Sequence, residues 1–178
     1  AEIDNHPWPQ ADWFDYQSIV EPIRKFPEYP FMVGYLSLGW FSWEVRGMEK
    51  CMEDLYLDPS LAEAVVQHIS DFGFEYYSRI LETIKEDIGK NVLAIHLADD
   101  WGTQSGLLMG PDIFDKFFAN HYRRFTKLAH SYGLKVEFHS CGAARELYGR
   151  MADVGVDIMN PVQTSAAGMN PSEIKAEY

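Results

Sequence analysis

His139 and Cys141 stand two residues apart at the end of a short apolar run, Leu134-Lys135-Val136-Glu137-Phe138, directly before Gly142. Side chains at that spacing on an extended strand project to one side. An imidazole nitrogen and a thiol sulfur placed together suit a borderline-soft ion such as zinc. A catalytic zinc site takes three protein ligands and keeps one open position, so a third donor is expected. Asp99, Asp100 and Glu44 are candidates within the chain, and a residue beyond Tyr178 is the alternative. The competing reading is a histidine and a thiol packed under a turn.

Asp99 and Asp100 follow a second apolar run, Asn91 to Leu97. Adjacent side chains on a strand point to opposite faces. One carboxylate is therefore expected in the site, and the other is expected to cap or brace a neighbouring loop. The functional reading is a carboxylate that steers a substrate or holds a proton; the bland one is an Asx turn into Gly102. Asn160 and Gln163 could orient a ligand through their amides or serve as turn residues. Trp40, Trp43 and Trp101 flank strand ends and could wall a flat ligand, against core packing as the default. His96 and His121 read as satisfied core histidines.

The elements that must hold these residues follow from hydrophobic spacing. Residues 1–30 read as an irregular entry segment rich in Pro and Trp, with a short helix from Ile19 to Tyr29. Strands are expected over 31–37, 91–97, 134–138 and 156–160, with Leu38-Gly39-Trp40 as a loop after the first. Helices are expected from Trp43 to Leu57, from Asp58-Pro59 to Gly89, from Pro111 to Tyr132, over Ala143–Asp153 and from Asn170-Pro171 onward. Cys51 falls on a helical face as a small buried hydrophobe. Strands alternating with helices imply a parallel sheet, whose ligands sit at the carboxyl ends of the strands. The chemically capable residues fall at those ends, while Gly89-Lys90-Asn91 and Tyr132-Gly133 carry only turn chemistry. That asymmetry points to an enzyme.

A chain of 178 residues with 47% hydrophobic and 15% aromatic residues can build one substantial core. Its formal net charge of −12 argues against a phosphate-backbone binder, so no nucleic acid is expected. No apolar run approaches the ~20 residues of a membrane span, and no membrane association is expected. Two cysteines and an opening without an apolar signal region lead to a cytoplasmic, free-thiol expectation. The missing initiator Met suggests a fragment or a processed chain.

Three motifs in order and spacing carry a family resemblance: Asp99-Asp100-Trp101-Gly102-Thr103-Gln104, Phe138-His139-Ser140-Cys141-Gly142, and Gly155-Val156-Asp157-Ile158-Met159-Asn160-Pro161-Val162-Gln163. From about Trp8 onward the chain resembles the uroporphyrinogen decarboxylase-like superfamily, in its branch of zinc-dependent, corrinoid-linked methyltransferases. The resemblance implies an eight-stranded β/α (TIM) barrel, an α/β fold of which residues 1–178 supply about half. An open half barrel exposes apolar edges, so self-association is one expected way to cover them. The resemblance also implies zinc on His139 and Cys141, together with a second cysteine that would lie beyond Tyr178. Methyl transfer would run between a corrinoid (cobalamin), free or on a partner protein, and a thiol or similar small-molecule acceptor or donor. Asp99 or Asp100 would orient the acceptor or balance charge, and Gln104, Asn160, Gln163 and Trp101 would shape the substrate pocket. The alternatives are a metal-free decarboxylase (a lyase) of tetrapyrrole biosynthesis and an incomplete, non-catalytic module.

Overall fold

The computed structural model describes residues 3–178, leaving Ala1 and Glu2 of the expected entry segment outside the described residues. Four parallel strands, β1 (Phe31–Leu36), β2 (Val92–Ala98), β3 (Lys135–His139) and β4 (Ile158–Asn160), lie side by side in chain order. That unbroken order is the winding of a β/α barrel; a doubly wound sheet reverses direction at a switch point. The fold is therefore α/β of the TIM-barrel type, and these strands form a segment of it.

Helices cover one face of the sheet. They are α1 (Val20–Lys25), α2 (Leu38–Arg46), α3 (Met48–Leu57), α4 (Pro59–Thr83), α5 (Pro111–Ile113), α6 (Ala119–Ser131), α7 (Tyr148–Asp153) and α8 (Pro171–Glu177). Val33 and Leu36, Ile95 and Leu97, and Val136 and Phe138 are buried in one core with Ile69, Tyr77 and Ile80 of α4 and Tyr122 and Phe125 of α6. Each such large apolar side chain contributes roughly 1.5–3 kcal/mol by leaving water. The longest helix, α4, starts where Asp58 accepts the Leu61 N–H at 3.2 Å and Pro59 supplies the first turn. Its stripe is wider than the sheet can cover. Phe72 and Tyr76 turn outward and are met by Phe14 of the entry segment, with ring centroids 5.8 and 5.1 Å away.

Two departures from the sequence reading bear on the site. Leu38-Gly39-Trp40 is the first turn of α2, and the expected single helix over 43–57 breaks at Gly47 into α2 and α3. The helix expected from Pro111 to Tyr132 runs through a π-helical turn at Phe114–Phe118 between α5 and α6. Phe114 and Phe118 there clasp Trp101 edge-on, at 5.3 and 5.0 Å. No helix among the described residues is long and apolar enough to cross a membrane.

Candidate functional site

The register places His139 between Ala98 of β2 and Asn160 of β4, at the carboxyl ends of three neighbouring strands. Cys141 follows after one intervening residue, and its Sγ lies 3.3 Å from His139 Nε2. Asp100 joins them from the end of β2, with Oδ1 3.8 Å from His139 Nε2 and accepting the Cys141 N–H at 2.9 Å. One ligand atom from each of the three lies within 4.8 Å of the others. Tetrahedral zinc with bonds of about 2.0–2.3 Å has edges of roughly 3.3–3.8 Å. The two distances to His139 Nε2, 3.3 Å from Cys141 Sγ and 3.8 Å from Asp100 Oδ1, fall in that range. Burial and the Asp100 charge push the Cys141 thiol pKa up from its ordinary value. A divalent cation among the three would oppose both effects.

Two glycines bring Asp100 and Cys141 together. A Cβ on Gly102 would stand 2.6 Å from the Cys141 carbonyl oxygen, and one on Gly142 would stand 2.4 Å from the Gly102 backbone. Gly142 also has φ +81°, a conformation that side-chain-bearing residues rarely adopt. The loops after β2 and β3 thus pack backbone on backbone, and the Ala143 N–H donates to the Thr103 carbonyl at 2.8 Å.

Asp99 lies elsewhere. It is buried, and Ser37 and Tyr122 donate their hydroxyl hydrogens to its oxygens. The backbone N–H groups of Leu38, Gly39 and Trp40 donate to the same carboxylate at 3.0, 3.0 and 2.9 Å. Asp99 therefore satisfies the first turn of α2 from outside that helix, where a negative charge also meets the helix dipole. Burial pushes its pKa up, against the opposing pull of these donors. Glu44, the other in-chain candidate for a third ligand, instead accepts the Trp40 indole N–H at 2.9 Å.

A cavity of about 340 Å³ opens beside the donors, lined by Tyr35, Ser37, Trp40, His96, Ala98, Asp99, Asp100 and His139. Among the described residues, its lining has no Arg or Lys. Of the residues expected at the substrate, Gln104, Asn160, Gln163 and Trp101 are outside that lining. Trp101 is buried in the core, where the helical aromatics need a flat partner. Gln163 accepts the Gly142 N–H at 2.9 Å, and the Asn160 carbonyl accepts the Ser140 N–H at 2.9 Å, so both brace the Cys141 loop. Gln104 is exposed, and its backbone carbonyl accepts the Ala167 N–H at 2.9 Å.

Sequence reasoning missed Ser37, Tyr122, Tyr35 and Glu137, and it assigned His96 to the core. His96 lines the cavity and pairs with Glu137. The spacing of Glu137 two residues before His139 was the available signal, since both share one face of β3. Tyr122 carries no such signal, because its aromatic spacing reads as core.

Among curated proteins, none matches this sequence. A methyltransferase from Methanosarcina mazei has a similar structure, with a TM-score of 0.64 and 20% sequence identity, over 81% of this chain and 40% of that one. The chain thus spans about half the length of that protein, and the likeness shows the shared fold. The family model for uroporphyrinogen decarboxylase (URO-D) matches residues 42–167, a stretch that contains β2, β3, β4 and all three metal-capable donors. By that match over more than half its length, the chain belongs to the uroporphyrinogen decarboxylase family.

Proposed function

We propose that this chain is the zinc-binding part of a methyltransferase that moves a methyl group between a corrinoid and a thiol or similar small acceptor. The observation that carries the reading is the gathering of Asp100, His139 and Cys141, with ligand atoms within 4.8 Å of one another, at the carboxyl end of a barrel sheet. The family membership and the fold shared with a methyltransferase support it. Zinc, when bound, would supply a positive charge that lowers the pKa of a thiol in its open position.

The remaining contributions belong to the protein. His139 and Cys141 offer neutral and anionic soft donors, and Asp100 offers a hard one held in orientation by the Cys141 N–H. In this reading the third donor is Asp100, where the resemblance implied a cysteine further along. Trp40 and Tyr35 wall the cavity and exclude water from one side of the acceptor. A volume of about 340 Å³ suits a small acceptor, so a corrinoid would approach from the open side of the sheet.

The decarboxylase reading needs no metal, so metal content separates the two. Metal content measured by plasma mass spectrometry tests the proposal. About one zinc per chain is expected, lost in both His139→Ala and Cys141→Ala; unchanged zinc in both variants would overturn it.

A further inference from the structure

His96 lines the cavity with Glu137 behind it, and neither is one of the three metal-capable donors. His96 on β2 and Glu137 on β3 are register partners, and His96 Nδ1 makes a close hydrogen bond with Glu137 Oε2. Glu137 is 2% exposed, and its other oxygen, Oε1, has no partner among the described residues. This bond holds the Nδ1 edge of the ring against Glu137. Nε2 is then the ring nitrogen left to meet a ligand. Tyr35 stacks on the imidazole at 5.6 Å with 29° between planes, and the Tyr77 hydroxyl bonds the His96 carbonyl. Ring and backbone are both held.

Position sets what His96 can touch. The register puts His96 beside Glu137 and Ala98 beside His139, so His96 lies one inward-facing layer below the metal donors. Two residues of strand separate those layers by about 6.6 Å. A small ligand anchored at Asp100, His139 and Cys141 would reach His96 with its far end. The groups around that end are Tyr35 from β1, Glu137 and His139 from β3, Asp99 and Asp100 from the end of β2, and Trp40 from α2. A hydroxyl, which can both donate and accept, suits a ring nitrogen in this position.

We propose that His96, oriented by Glu137, is a specificity residue that selects acceptors with a hydroxyl at the end opposite the metal-binding sulfur. The inference rests on the thiol-acceptor reading above. It is tested by isothermal titration of the zinc-loaded protein with 2-mercaptoethanol and 3-mercaptopropan-1-ol. Each is compared with the alkyl thiol in which a methyl group replaces the hydroxyl, propane-1-thiol and butane-1-thiol. At least one hydroxy thiol is expected to bind about five- to tenfold tighter than its partner, the worth of one hydrogen bond. That preference should vanish in His96→Phe. It should also weaken in Glu137→Gln, which keeps the side-chain shape and guards against a folding artefact in the first variant. Equal affinities in the unaltered protein, or a preference that survives both substitutions, would overturn the inference and leave the thiol reading intact. Binding of no thiol at all, with zinc retained, would overturn both.

Discussion

Asp99 and Asp100 are the same residue type, neighbours in the chain, and they sit in opposite environments. Asp99 is sealed beneath α2, accepting hydrogen bonds from that helix's first turn and from Ser37 and Tyr122. Asp100 is 44% exposed at its side chain and faces His139 and Cys141. The alternation of a strand turns them apart, and everything else follows from what each side offers. A carboxylate ringed by donors has spent its lone pairs on structure. One that keeps an oxygen toward an imidazole and a thiol can still bind a cation.

The contrast makes stability and metal binding separable. Asp99→Ala should cost the most stability, about 3–5 kcal/mol, because it strands the buried N–H groups of α2 and the Tyr122 hydroxyl. Chemical denaturation measures this, and a loss below 1 kcal/mol would mean the ring of donors is not structural. Gly142→Ala comes next, at roughly 2–4 kcal/mol, since it imposes a left-handed conformation on alanine and drives a Cβ into Gly102. It should also weaken metal binding at the proposed zinc site, because Cys141 and Asp100 meet where those backbones touch.

The two cysteines extend the comparison. Cys51 is 6% exposed in the core, and burial pushes its thiol up to about 11. The folded pKa is raised, so the stabilisation is complete below the unfolded value and is lost as pH climbs from about 9 toward 11. Unfolding curves at pH 8 and 11 should show a loss of about 1–2 kcal/mol from this thiol, absent in Cys51→Ala. The smallest stability effect belongs to Asp100→Asn, under about 1 kcal/mol at this exposed position. The same substitution should weaken zinc affinity by tenfold or more in a chelator competition assay. Intact affinity there would remove Asp100 from the ligand set.

Much of the fold was legible because it is written locally. The strand runs, the Asp58-Pro59 start and the glycine stops each act within a few residues, and the parallel sheet followed from their alternation with helices. The break at Gly47 and the π-helical turn at Phe114–Phe118 were not legible. The apolar spacing on either side continues nearly in phase, and each departure answers a partner distant in the chain, as Trp101 does for the π-helical turn. Glu44 and Asp100 were equal candidates in one dimension because both are acids near a strand end.

What the sequence by itself determined is that His139 and Cys141 could meet, since extended backbone sends side chains two apart to the same side. It also determined that one of two adjacent carboxylates would enter the site and the other would not. Which one entered was decided by tertiary structure. So were the union of His96 with Glu137 and the contact of Gly102 with Gly142. Each joins residues about forty positions apart, and only the lateral register of β2 against β3 brings them within bonding distance.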